Sequence, residues 1–534
     1  MKDDSDNANS LWQQRAGVKM SMQLKLVNFL QDSNVILLSF LFLGLGLRVY
    51  NLGGHNFWYD EAISFVEASQ MKSSSFMLYK DNQLYRLLLH YWIVFFGKSE
   101  FVLRSLSMVF GVLAIPLIYK LGKLFFDRRV GLASALILAI SPIHIWYSQE
   151  ARAYSLSVFL SLLIVYLSFL AIKKNKPYLW AGFAATSIIG AYTNYFCFYA
   201  IIISSIMAIL INRRFLKQYA ISLCFIFAGS LYLIPLFIKR FSSIKNSFWL
   251  LKPNLSAIVI TFGNFNAGYN ATAGIYFLSF IIFSSLFSLG FLHWWEEKRK
   301  ELVFLSALIF VPILLTFLIS QKVPIYLDRQ LMLFSPFYYV IIAAGLVKIK
   351  ANILSVVIYC LIFLLSSVLL FNYFSCNMPM SLRYHQGVNP KKPIKPAADY
   401  INSRFLKGDI IGYSGPTGTY LFYYLWDKII NEKIEVFSFV IKSKLEPYWL
   451  QRHGVCFAPQ LITKHIIMLG GSIGKKLEKY HFKRLWLISS SWPRDGALGS
   501  HTQGVREWMQ KHYLLMESKE FDGIFIDLYS KPEK

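Results

Sequence analysis

The sequence predicts a multi-span α-helical membrane protein with about eleven transmembrane helices and a soluble C-terminal α/β domain. Three observations carry that prediction. The 534 residues are 55% hydrophobic and only 16% charged, with 46 Phe and 32 Tyr, far too apolar for an ordinary soluble chain. Apolar runs recur at close to the ~20 residues that cross a bilayer core. Lys and Arg cluster in short connections between alternate runs, which is the positive-inside pattern. The formal net charge of +26 follows from that placement and requires no nucleic-acid partner. Membrane lipids with anionic headgroups, and phosphorylated lipid substrates, fit it better.

Residues 1–33 are polar and mildly basic, lack a cleavable signal, and read as a cytoplasmic N-terminal segment. A transmembrane domain spans 34–375 and begins with a run at 35–49. Residues 51–100 mix aromatics with scattered charges, as expected of an external loop with one or two interfacial helices. Further spans are expected at 102–120, 130–147, 154–172, 178–198, 199–212, 219–238, 272–295, 302–320, 330–347 and 353–374. The basic connections after Lys120, Lys173, Arg213, Lys298 and Lys348 put the N-terminus inside and the 51–100 loop outside. An odd span count then places residues 376–534 outside as well. There the composition turns polar, with Pro390, Pro393 and Pro396 among lysines, followed by alternating helical and extended patterns.

Cys197, Cys224 and Cys360 fall in apolar runs and read as small core hydrophobes. Cys376 and Cys456 share a side of the membrane and are a candidate pair. No cysteine or histidine spacing demands a metal. A divalent cation is compatible with the acidic residues, and no cofactor is required by the sequence. The run 470–474 is glycine-rich but fits no nucleotide-binding fingerprint.

Three clusters could carry chemistry. Asp60 and Glu61 lie just beyond the first span, where carboxylates are costly to hold beside lipid and hence functional candidates. Asp60 suits a general base, and also suits the N-cap of an interfacial helix. At the turn between the third and fourth spans, Tyr147-Ser148-Gln149-Glu150-Ala151-Arg152-Ala153-Tyr154 packs unusual polarity into a short stretch. Arg152 could clamp a phosphate through its fork of donors, and Glu150 could orient a donor group or close the loop in a Glu–Arg pair. Arg329, in Tyr326-Leu327-Asp328-Arg329, is a second outward guanidinium, suited to a lipid-linked phosphate or to snorkelling. His55, His90, His144 and His385 are scattered.

Together, Arg48-Val49-Tyr50-Asn51-Leu52, Trp58-Tyr59-Asp60-Glu61-Ala62 and Tyr147-Ser148-Gln149-Glu150-Ala151-Arg152-Ala153-Tyr154 resemble bacterial GT-C glycosyltransferases. These polyprenyl-phosphate-sugar-dependent enzymes are related to protein O-mannosyltransferases and lipid A aminoarabinose transferase. Asp81-Asn82-Gln83-Leu84-Tyr85 and the His90 segment match weaker patterns, although relatives usually carry a proline-containing turn where Asn82 to Arg86 stand. The resemblance implies inverting transfer of a sugar from a polyprenyl-phosphate donor to an acceptor on the outer face of the bacterial plasma membrane. The acceptor would be a lipid, a glycan or a protein. Asp60 then matches the general base, with Glu61 beside it, while Arg152 and Arg329 match positions holding the donor phosphate. Tyr59, Asn82, His90, Tyr147, Gln149, Glu150 and Tyr154 would bind or orient substrate. A transporter or lipid flippase shares the spans, but would place charges near the midplane and show internal repeats; a glycan polymerase or ligase is the other alternative.

Overall fold

A computed structural model describes residues 32–69, 83–211, 213–247, 250, 252–349, 353–379, 394–414, 417–432, 434, 436–441, 463–468, 482–490 and 500–532. Asn82, His385, Cys456 and the 470–474 run lie outside the described residues.

The membrane part is helical. In order, α1 is Ser33–Val49, α2 Tyr59–Ser69, α3 Gln83–Phe96, α4 Glu100–Phe125, α5 Arg128–Ile140 and α6 Pro142–Ser148. Then come α7 Tyr154–Lys174, α8 Pro177–Thr193, α9 Cys197–Ile211, α10 Leu216–Ser230, α11 Leu233–Ser247 and α12 Ser256–Ala267. The set closes with α13 Ala273–His293, α14 Arg299–Ser320, α15 Asp328–Leu331, α16 Ser335–Lys348 and α17 Ile353–Phe374.

Among the described residues, six helices are long and apolar enough to cross a membrane, or up to eight if each of two bent pairs counts as one. That count rests on length and composition alone, and it is smaller than the about eleven expected for reasons visible in the helices themselves. Helices do stand at every expected position, but α1 and α8 have 17 residues each, the short end of what a ~30 Å core accepts. Hydropathy also cannot see bends. The run read as 130–147 breaks by 58° between α5 and α6, because Pro142 lacks the N–H that would continue the ladder.

Close approach explains two glycines. α13 crosses α16 at Gly290 and Gly345, where a Cβ on either would run into the other helix's backbone. Cys197 is buried, whereas Cys224 and Cys360 are exposed on the outside of the bundle, against the expectation that all three lie in the core. Outward positions there face lipid, so a small apolar side chain suits them equally well. Cys376 Sγ lies 3.2 Å from His55 Nδ1.

Among the described residues of 51–100 there are two helices, α2 and α3. α3 turns Tyr91, Val94, Phe95 and Phe96 outward, a surface that fits the headgroup boundary. Beyond α17 lie α18 Ile394–Arg404, β1 Ile410–Ser414, α19 Thr417–Asn431, β2 Val436–Ile441, β3 Thr463–Met468, β4 Arg484–Ser490, α20 Ser500–His512, β5 Leu514–Phe521 and β6 Ile524–Ser530. They build a six-stranded sheet in the order β3-β2-β1-β4-β6-β5. β1 to β4 run parallel, and the β5–β6 hairpin pairs antiparallel with β4. Asp522 and Gly523 turn that hairpin, both at positive φ, as a tight two-residue connection requires. Ile411, Tyr413, Trp486 and Ile488 pack with Leu425 and Ile429 of α19 on one face, while Leu485 and Leu487 meet Val505 and Met509 of α20 on the other.

Candidate active site

The site grows from two buried arginines. Where α5 stops, its last carbonyls lose their helical partners. Arg48, fully buried at the end of α1, fills that gap: Nη1 donates to Ala139 O at 2.9 Å and Nη2 to Leu138 O at 3.0 Å, while Nε donates to Ser148 Oγ at 3.2 Å. Gln149 Nε2 answers from the other side, donating to Arg48 O at 2.9 Å and Tyr50 O at 2.7 Å. Gln149 thus ties α6 to the end of α1.

The second is Arg104, in the first turns of α4. It forms a fork-to-fork pair with Glu61, Nε to Oε1 at 2.7 Å and Nη2 to Oε2 at 2.9 Å. Its Nη1 also donates to Leu52 O at 3.0 Å and His55 O at 2.8 Å. Both side chains are essentially inaccessible. Glu61 Oε1 further accepts the backbone N–H of Ala151 at 3.0 Å. Glu61 therefore belongs to the framework, which corrects its expected place beside the base: its oxygens are committed to a buried cation.

That framework has a geometric consequence. Asp60 precedes Glu61 and Arg152 follows Ala151, so tying Glu61 to Ala151 brings Asp60 and Arg152 face to face. Arg152 Nη2 lies 3.6 Å from Asp60 Oδ2, and Arg329 Nη1 lies 3.8 Å from the same oxygen. Asp60 sits in the first turn of α2, and its carboxylate faces these guanidiniums. Side-chain exposure is 18% for Asp60, 17% for Arg152 and 7% for Arg329. Both contacts exceed the 2.7–2.9 Å of a tight charge-assisted bond.

Arg152 is steered by a relay. Tyr85 and Ser107 share a hydrogen bond of 2.7 Å, and Ser107 Oγ donates to Arg152 O at 2.9 Å. Burial opposes the charge of Arg152, and Asp60 and Tyr154 more than restore it, so its pKa lies above the ordinary arginine value. Its Nε has no hydrogen-bond partner. The Arg329 guanidinium stands 5.7 Å from the Trp58 ring centre, a cation–π contact. The preceding Asp328, also buried, accepts from Asn264 Nδ2 at 2.6 Å.

The remaining candidates divide. Tyr147 shares a 2.8 Å hydrogen bond with Tyr269 and packs edge-on against Tyr154, ring centres 4.7 Å apart. Burial, with Asp328 nearby, holds the Tyr269 phenol protonated. Tyr154 lies under Arg152, 5.9 Å from guanidinium to ring centre. Tyr59 is half-buried at the start of α2. Glu150 Oε1 accepts from Trp146 Nε1 at 2.6 Å, and His90 Nδ1 meets Ala68 O at 2.7 Å, so both are engaged in local structure. The structure thus gathers Asp60, Arg152, Arg329 and Tyr154, and uses Gln149, Glu150 and His90 as struts. Arg104, Arg48 and Asp328 were missed as contributors; the signal was a charge inside or beside an apolar run. Among the described residues no group of three His, Cys, Asp or Glu side chains assembles.

Comparison with known proteins bears on this geometry. Residues 84–238 match the family profile of dolichyl-phosphate-mannose-protein mannosyltransferases. ArnT from Cupriavidus metallidurans in the apo state superposes with a TM-score of 0.61 at 10% identity, over 92% of this chain and 97% of that one. ArnT bound to undecaprenyl phosphate gives 0.58 at 10% identity over the same shares, 92% and 97%. The archaeal oligosaccharyltransferase AglB from Archaeoglobus fulgidus, in complex with an inhibitory peptide and a dolichol-phosphate, gives 0.50 at 11% identity, covering 94% of this chain and 74% of that one. No curated protein matches significantly by sequence. The chain has the GT-C glycosyltransferase fold, and the resemblance read from the Trp58 and Tyr147 motifs is supported.

Proposed function

We propose that this chain transfers a sugar from a polyprenyl-phosphate donor to an acceptor hydroxyl, with inversion, at the outer face of the bacterial plasma membrane. The observation that carries the reading is Asp60 held between Arg152 and Arg329 at 3.6 and 3.8 Å. Contacts that long are easily exchanged. An incoming donor phosphate takes over the guanidiniums, and the Asp60 carboxylate turns to the acceptor.

The acceptor oxygen attacks the sugar carbon as its proton passes to Asp60. The bond from that carbon to the phosphate oxygen breaks, and polyprenyl phosphate leaves with the electron pair. The phosphate carries one negative charge in the donor and gains a second as the bond opens. Arg152 and Arg329 therefore bind the transition state more strongly than the ground state, as catalysis requires. Relatives' names support the donor class: an ArnT structure holds undecaprenyl phosphate, and an AglB structure holds a dolichol-phosphate.

The test is purified protein in lipid nanodiscs with a polyprenyl-phosphate sugar and an acceptor mixture. Release of free polyprenyl phosphate that depends on Asp60 supports the reading. Movement of the lipid across a bilayer without release, indifferent to Asp60, would point to a flippase.

A further inference from the structure

The soluble domain reaches the loop that carries Asp60. Residues between Asn56 and Trp58 belong to no helix, so their backbone groups must find partners elsewhere. On the bundle side Arg104 takes the carbonyls, its Nη2 reaching Asn56 O at 3.2 Å. On the other side the partner comes from α19. The Phe57 N–H donates to Tyr424 Oη at 3.0 Å, and that hydroxyl donates to Asn56 Oδ1 at 3.3 Å.

Around this point the contact is extensive. The Tyr423 ring lies 4.3 Å from Phe57 and 4.9 Å from Phe65, centre to centre, and Trp426 lies 5.3 Å from Phe65. Phe57, Phe65, Leu425 and Ile429 belong to one apolar cluster running from α2 through α19 onto the sheet. Asp427 closes the edge by pairing with Lys98. A loop gripped from both sides cannot shift its next residues freely, and the next residues bring Asp60 to its arginines.

We propose that Tyr424 is a positioning residue for the transfer reaction, through which the soluble domain holds the Asp60 loop in working geometry. The inference rests on the reading of Asp60 as base, yet its structural half can be judged without turnover. The full-length protein carrying Tyr424→Phe keeps the ring and loses only the hydroxyl. Amide exchange across residues 56–60 becomes faster, while the unfolding midpoint of the whole protein holds. The turnover number falls roughly tenfold at unchanged donor KM, as expected when two hydrogen bonds of ordinary strength are lost from the geometry that orients the base. Unchanged exchange overturns the clamp. Unchanged turnover beside an active wild type overturns the positioning role, and so does a loss confined to donor KM. Asp427→Asn, which weakens docking at the exposed edge, serves as the companion variant: an equal loss there would assign the effect to docking in general and overturn the role of Tyr424. A wild-type protein that transfers no sugar would sink the enzymatic reading alone, leaving exchange to decide the clamp.

Discussion

The carboxylates of Asp60 and Glu61 both meet arginine, but on different terms. Glu61 holds Arg104 at 2.7 and 2.9 Å with almost no exposure; Asp60 stands 3.6 and 3.8 Å from Arg152 and Arg329 and keeps 18% of its side chain accessible. A buried fork-to-fork pair is set for the life of the fold, because removing either half strands a charge. A longer, partly wet contact costs little to break, so its members stay free to change partners when a charged ligand arrives. On the function proposed above, tight pairing belongs to the scaffold and loose pairing to the place where substrate binds.

The largest test of this contrast is Asp60→Asn. Transfer should fall by about 10²–10⁴-fold, the usual worth of a general base, while the unfolding midpoint stays put. A stability loss with retained activity would reverse the assignment. Glu61→Gln should behave the other way, leaving Arg104 buried without its counter-charge at a cost of about 3–5 kcal/mol. Denaturant or thermal unfolding in detergent reads that cost, and an unchanged midpoint would remove Glu61 from the framework. Arg152→Lys should keep the charge and lose the fork. Donor KM should rise by roughly ten- to a hundredfold, the range for a hydrogen bond to a charged group, with acceptor KM constant; a change in acceptor KM alone would break the phosphate assignment. The smallest effect belongs to Tyr85→Phe, which cuts the Tyr85–Ser107–Arg152 relay. About 1 kcal/mol is at stake, visible as a several-fold loss in kcat/KM for donor, and no loss would make the relay ornamental.

Much of this was legible in the chain, for reasons that differ by residue. Asp60, Arg152 and Arg329 stood out because charges beside apolar runs need a cause, and the structure does bring them together. Gln149 and Glu150 stood out equally, but the local contacts of Gln149 Nε2 with Arg48 O and Tyr50 O and of Glu150 Oε1 with Trp146 Nε1 were not legible, since a motif cannot say which neighbour a polar atom meets. Arg104 was visible as an arginine early in an apolar span, but its partner could not be guessed, because Glu61 seemed reserved for chemistry beside Asp60. The strands Ile410–Ser414, Arg484–Ser490 and Ile524–Ser530 followed the expected extended stretches. Their order in the sheet did not, since pairing depends on contacts far apart in sequence. Tyr424 lay beyond any local pattern, its partners Asn56 and Phe57 being 368 and 367 residues away.

Arg48 has a bearing on how substrate arrives. In its place at the α5–α6 break the guanidinium donates to the carbonyls of Gly44, Ala139 and Leu138 and to the Ser148 hydroxyl. Dipoles spread that charge without cancelling it. Arg48 therefore adds a positive contribution to the field beneath Ser148, a few residues from Arg152, in surroundings where solvent screens poorly. On the function proposed above, an anionic headgroup gliding along the bilayer would feel this pull before touching Arg152 or Arg329, and added salt would dull that capture more than the transfer step.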